Sequence, residues 1–250
     1  MTTPIDPAGR LYRLLIHCKN EARRDSLAGT LAHYFGVESG SAAYLRALSQ
    51  VVALPEEIRD AFSDLRMRGV HIAMEHFIGS LPQIEGAIAY GVENQNTSTE
   101  IFASQYSDAD ADRVGSASAI LQAYSPEPAD PSDILTTVIR TSDSLSNLLA
   151  EDSTLEPELR TLLYTLADAL RRTAQTYKVS GVEAIAEERD LLIGRLSTSP
   201  VLREQVRAHP KVKDILAGFL SGTMAAATFF TTAVDAGEDV QKFIQAITAG

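Results

Sequence analysis

The uncharged stretch from Ile215 to Val234 constrains this chain more than any other feature, because twenty residues without a charge must find an apolar place to lie. Asp214 and Asp235 bound it. As a helix it would span about 30 Å, the thickness of a bilayer core. Its composition favours a protein interior instead. Gly218, Gly222, Ser221, Thr223, Thr228, Thr231 and Thr232 oppose insertion into lipid, and alanines dilute the apolar remainder. A helix that is apolar all round is normally buried. Gly218, Gly222 and Ala226 recur four apart, which predicts a shallow groove where a second helix can approach closely. The expectation is a core helix around which the C-terminal part of the chain packs.

No segment alternates with period two between hairpin turns, so the chain reads as all-α, a multi-helix bundle of about ten or eleven helices. Asp6 before Pro7 predicts the start of a helix carrying Leu11, Leu14, Leu15 and Cys18. Asp25 and Ser26 mark a break. Leu27, Leu31, Tyr34 and Phe35 then continue to a C-cap at Gly36. Ser41 opens the next helix, and Pro55 is expected to end it and start another. Gly69 should divide that helix from one holding Ile72, Met74, Phe77, Ile78 and Leu81. Ser80 with Gln83, Ser153 with Glu156 and Ser180 with Glu183 have capping-box spacing. Ile101 to Ala123 carries only a weak helical pattern. Pro126, Pro128 and Pro131 make 125–133 a linker between an N-terminal helical region, 1–124, and a C-terminal bundle, 134–250. In the latter, Leu155, Leu159, Leu162, Leu163, Leu166 and Leu170 share one face. Ser199 and Pro200 cap a short helix, Pro210 introduces the uncharged one, and Gly237 precedes a last helix with Val240, Phe243 and Ile247.

Charge is unevenly distributed. The 250 residues carry a formal net charge of −11, so nucleic acid is not an expected partner, since phosphate would meet a repulsive field. From Gly69 to Asp112 there is no lysine or arginine. Glu75, Glu85, Glu93, Glu100, Asp108, Asp110 and Asp112 give that stretch seven negative charges. Arg10, Arg13, Lys19, Arg23 and Arg24 form a basic segment whose simplest reading is a solvated helix face. Arg203, Arg207, Lys211 and Lys213 form a second. Arginine outnumbers lysine 17 to 5, a bias common in GC-rich bacterial coding. The single cysteine, Cys18, excludes an internal disulfide and fits a reducing compartment. The first nine residues contain no apolar run, so a cytoplasmic location is expected.

The chemistry-bearing motifs are few. There is no P-loop, dinucleotide fingerprint or nucleophile elbow, and no cofactor or metal is expected. His71 and Glu75 lie one helical turn apart, too small a set for a di-metal bundle. Asp108, Asp110 and Asp112 imitate half of a calcium loop, but Arg113 stands where glycine is required and Ala119 where glutamate is. Arg66 and His71, separated by four residues in an expected helical region, resemble the Arg-x4-6-His signature of the HEPN ribonucleases, all-helical proteins that usually act as dimers. That resemblance implies a metal-independent ribonuclease in which Arg66 stabilises a phosphorane-like transition state and His71 moves a proton.

Three functions follow from these features. The leading expectation is a non-catalytic helical interaction protein: an adaptor, a regulatory subunit or a component that forms homo-oligomers. It would use Glu85, Glu93, Glu100, Asp108, Asp110 and Asp112 with Arg13, Arg23, Arg24, Arg203, Arg207 and Lys211 to orient a protein partner or a second copy. The first alternative is the ribonuclease. The second is a membrane-active effector that releases helix 215–234.

Overall fold

A computed structural model describes residues 6–21, 26–124 and 132–223. Among these the chain is all-helical, with no strand. In order, the helices are α1 Pro7–Asn20, α2 Leu27–Phe35, α3 Ala42–Met67, α4 Met74–Ile78, α5 Leu81–Glu93, α6 Thr99–Ala103 and α7 Asp108–Tyr124. They continue with α8 Ser132–Glu151, α9 Pro157–Ser180, α10 Glu183–Thr198, α11 Pro200–Ala208 and α12 Pro210–Gly222. The chain divides into two units, Met1–Glu127 with Gln175–Gly181, and Pro128–Ala174 with Val182–Gly250. The final residues of α9 thus belong to the first unit.

The first unit is built around α1. Leu11, Leu14, Leu15 and Cys18 are buried there, and the helix packs on α7, α3, α6 and α2. Each buried leucine contributes about 1.5–3 kcal/mol. Asp6 caps the helix as expected, accepting from Gly9 N at 2.8 Å. Its other oxygen accepts from Ser118 Oγ (2.7 Å) and Gln122 Nε2 (3.1 Å) of α7. One carboxylate therefore fixes both the start of α1 and its register against α7. The solvated-face reading of this segment fails at Arg10, which is only 4% exposed. Arg10 Nη1 donates to Val179 O at 2.8 Å, and Nη2 pairs with Glu57 at 3.1 Å. Burying a guanidinium costs several kcal/mol unless its donors are satisfied, so these partners define where α3 and the end of α9 must lie.

Several expected boundaries hold. Ser26, Ser41 and Ser199 cap their helices through the side chain, and Gly36 closes α2 in the left-handed region. The α2 N-terminus gains a further pair of acceptors, since Leu27 N and Ala28 N donate to Thr97 O and Gln95 O. These carbonyls satisfy two donors that a helix start leaves open.

Other boundaries are corrected. Pro55 lies inside one continuous helix and does not end it. The buried stripe Val51, Leu54, Ile58, Phe62 and Leu65 runs straight through it. At about 1.5–3 kcal/mol each, those side chains outweigh the roughly 3 kcal/mol cost of an interior proline. The expected helix beyond Gly69 is reduced to the five-residue α4, with residues 70–73 non-helical. Ser80 makes no cap bond and instead faces Asp110 O, while Gln83 donates to Gln105 O. Ser153 precedes α9 by four residues, so Glu156 sits just outside the helix instead of at its third position. Ser180 ends α9 and cannot start α10, whose N-cap is Val182.

The weak pattern over Ile101–Ala123 proves to be two helices. The buried face of α7 consists of Ala111, Val114, Ala117, Ser118 and Leu121, mostly small residues that leave little apolar signal. They let α1 come close: a Cβ at Gly115 would lie 3.1 Å from the Tyr12 ring. A capping box formed by Ser107 and Asp110 starts α7. Ser107 Oγ accepts from Asp110 N at 3.1 Å, and the Asp110 carboxylate accepts from Ser107 N at 3.0 Å and Ser107 Oγ at 2.6 Å.

In the second unit α12 packs on α8 and α11. Of the uncharged stretch, the structure describes 215–223, and the expectations for 224–234 and for the terminal helix fall outside the described residues. The described part is two-sided. Leu216, Phe219 and Leu220 are buried, whereas Gly218, Ser221 and Gly222 are exposed. A Cβ on Gly222 would lie 2.7 Å from Thr137 Cγ2 of α8, so the close approach expected of this small-residue line occurs there; Gly218 has nothing within 4 Å. Among the described residues no helix is long and apolar enough to cross a membrane.

Two outcomes follow. Ser107→Ala should lower the unfolding free energy by about 1 kcal/mol, the usual loss for an N-cap hydroxyl, measurable by urea titration. Burial pushes the Cys18 thiol up to about 12, so a thiol reagent should label it only at the rate at which the first unit opens.

Candidate functional site

The structure distributes the six nominated carboxylates among three roles. Asp108 pairs with Lys19 of α1, and Glu85 pairs with Arg59 of α3 at 2.7 Å. Asp110 is held below the usual carboxylate range by its Ser107 hydrogen bonds, which dominate over its burial, and it serves the α7 cap. Glu93, Glu100 and Asp112 are exposed. They end α5, lie in α6 and lie in α7 respectively. Ile101, beside Glu100, is 46% exposed.

The basic residues divide similarly. Arg13 is half-buried on α1, and it lies near enough to Tyr34 to oppose the upward shift that burial imposes on that phenol, to about 12. Arg23 and Arg24 lie outside the described residues. Arg203 is half-buried on α11, while Arg207 and Lys211 are exposed.

Arg66 occupies the last turn of α3, and His71 follows the left-handed Gly69 in non-helical chain. Both are exposed, but they do not share a helix, so helical spacing does not hold their side chains on one face. His71 likewise does not sit one helical turn from Glu75. Among the described residues no group of three or more His, Cys, Asp and Glu side chains could hold a metal ion.

Two arrangements were not legible in the sequence. The first is an aromatic and cationic cluster between α1, α2 and the end of α9. His17 lies 5.0 Å from the Tyr34 ring and 6.3 Å from the His33 ring. Lys178 donates to Tyr34 O at 2.8 Å and stands over that ring. His17 Nε2 is buried without a hydrogen-bond partner. Burial, with His33 and Lys178 adding to it, lowers the His17 pKa from its ordinary 6.5, against the pull of Glu21 and of the Thr30 backbone.

The second is an open groove of about 520 Å³ between α8 and α9, within the second unit. Leu149, Ala150 and Ala167 provide apolar wall, and Tyr164 stands at its mouth with 68% exposure. Arg160 lines it with its stem while its head bonds Leu149 O and Asp152 O at the end of α8. Arg171 donates to Ser146 Oγ at 3.0 Å. Asp168, also in the lining, pairs with Arg172. Such a volume is in the range of ligand sites. No protein-family model matches the chain, and neither curated proteins nor solved structures give a significant match to it.

The His17 environment sets a pH dependence. A histidine whose folded pKa lies below its unfolded value stabilises nothing above that value. As pH falls through 6.5, the unfolded chain takes up the proton that the folded one refuses, so stability drops. Thermal unfolding between pH 7.5 and 5.5 should show this decline, and His17→Gln should flatten it.

Proposed function

We propose that this protein is a non-catalytic helical interaction protein, an adaptor, regulatory subunit or oligomer-forming component whose first unit engages a cationic protein surface. The observation that supports this most directly is the set of carboxylates left over once the internal pairs are made. Lys19 and Arg59 neutralise Asp108 and Glu85, and Asp110 is committed to a helix cap. Glu93, Glu100 and Asp112 face solvent on helices that pack together, α5 with α6 and with α7. Exposed Ile101, next to Glu100 in sequence, supplies an apolar contact. Charge of one sign around a small apolar contact is suited to orienting a partner and speeding encounter more than to raising affinity.

The ribonuclease reading on Arg66 and His71 has less support, because a broken helix separates the two side chains and the stretch of seven carboxylates, Glu75 to Asp112, follows directly in sequence. A membrane-active role would need residues beyond those described.

Charge reversal tests the proposal. The triple variant Glu93→Arg, Glu100→Arg, Asp112→Arg should remain folded, since all three side chains are exposed. With the full chain as bait, proteins retained at low salt should be lost at high salt and lost from the variant. Light scattering under the same conditions would show whether that partner is a second copy. A monomer at both salt concentrations that retains no partner, or a partner retained equally by the variant, contradicts the proposal.

A further inference from the structure

We infer that the α8–α9 groove of the second unit is a binding site for a small monocarboxylate with a flat apolar body, a function separate from the acidic surface of the first unit. The cation that selects the charge is Arg171. Its Nη2 is engaged by the Ser146 hydroxyl, and among the described residues no carboxylate pairs with it. Asp168, the acidic residue of the lining, is already paired with Arg172. A guanidinium offers five donors in a planar fork that matches the two oxygens of a carboxylate. Ser146 Oγ, held by Arg171 and itself donating to Ser142 O at 2.8 Å, fixes one edge of that fork and leaves the remaining donors for a ligand.

Arg160 does not compete for the same role. Both of its terminal nitrogens are used on carbonyls at the end of α8, Leu149 O and Asp152 O, so it lines the groove without a free terminal nitrogen to offer. The two arginines are eleven residues apart on α9, about 16 Å along the axis. Only the Arg171 end presents free cationic donors. One guanidinium next to an acidic wall residue favours a single negative charge over a phosphate dianion, which would be repelled by Asp168 and left short of donors.

The shape of the body follows from the walls. Ala150 and Ala167 are small, Leu149 is only partly covered, and Tyr164 is an exposed lining residue. Small side chains on both helices leave a slot, and a tyrosine at its mouth offers a stacking face worth about 0.5–1.5 kcal/mol beyond burial. A planar ring carrying one carboxylate meets both requirements.

A matched pair of probes tests this: 1-naphthoate and its neutral amide, 1-naphthamide, titrated into the full-length protein by calorimetry. The carboxylate should bind saturably at one site and about tenfold or more tighter than the amide, the margin expected for a charge-assisted fork. Arg171→Gln should erase that margin while leaving amide binding unchanged. Tyr164→Ala should weaken both probes equally and preserve the margin. Both side chains are exposed, and circular dichroism checks that each variant keeps its helix content. Absence of saturable binding, equal binding of acid and amide, or a margin that survives in Arg171→Gln overturns the inference. None of these outcomes bears on the acidic surface, whose test uses a different unit and a different readout.

Discussion

A positively charged side chain that cannot lose its proton has to be met by fixed acceptors wherever it is buried, and in this protein Arg10 imposes that requirement on the whole first unit. Its guanidinium is 4% exposed and joins Glu57 of α3 to the Val179 carbonyl near the end of α9. Three segments that are far apart in sequence are thereby held at one point. The same solution recurs. Arg189, also 4% exposed, donates to Thr223 O at the end of α12. Arg160 covers the last carbonyls of α8, and Lys178 covers that of Tyr34 at the end of α2. Helix C-termini leave carbonyls open and carry partial negative charge, so a cation placed there satisfies both at once. An arginine-rich composition in an acidic protein thus has a structural use, as the means of ending helices against one another.

The same accounting separates structural from available charge. A run of seven carboxylates looks in sequence like one acidic surface. In the fold it supplies a helix cap, two ion pairs with neighbouring helices and four solvent-facing groups. Exposed pairs such as Lys19 with Asp108 contribute little stability on their own, but they remove those groups from the inventory of contacts open to a partner. The functional reading narrows accordingly, from a whole stretch to the exposed Glu93, Glu100 and Asp112.

The sequence made the all-helical fold legible because leucine spacing and side-chain caps act locally. Asp6, Ser26, Ser41, Ser199 and Gly36 each mark a boundary through bonds within four residues of themselves. Failures came wherever tertiary packing decided. Pro55 was overruled by the apolar stripe on both sides of it, and α7 was underrated because alanine and serine make its buried face. Serine three residues before glutamate or glutamine did not suffice at Ser80, Ser153 or Ser180, where the true helix start lay elsewhere. Arg10 gave no signal at all, since its partners are supplied by segments 47 and 169 residues away. The α8–α9 groove was hidden for a related reason: its walls are ordinary helix residues, and only the pairing of two helices brings Arg171 beside Ser146. The expectation of a helical centre at 215–234 concerns the C-terminal part of the chain; the first unit has a centre of its own in α1.

Hydrogen exchange across residues 175–181 in an Arg10→Met variant tests the central claim most directly. Methionine keeps the apolar stem and removes the donors, leaving Glu57 and Val179 O without their cation. Protection of these amides should fall toward that of a frayed helix end, and global stability should drop by about 2–3 kcal/mol, the lower range for breaking a partly buried pair. Wild-type protection at 175–181 together with unchanged stability would show that apolar packing alone holds the first unit together, and that Arg10 is an incidental occupant of its core.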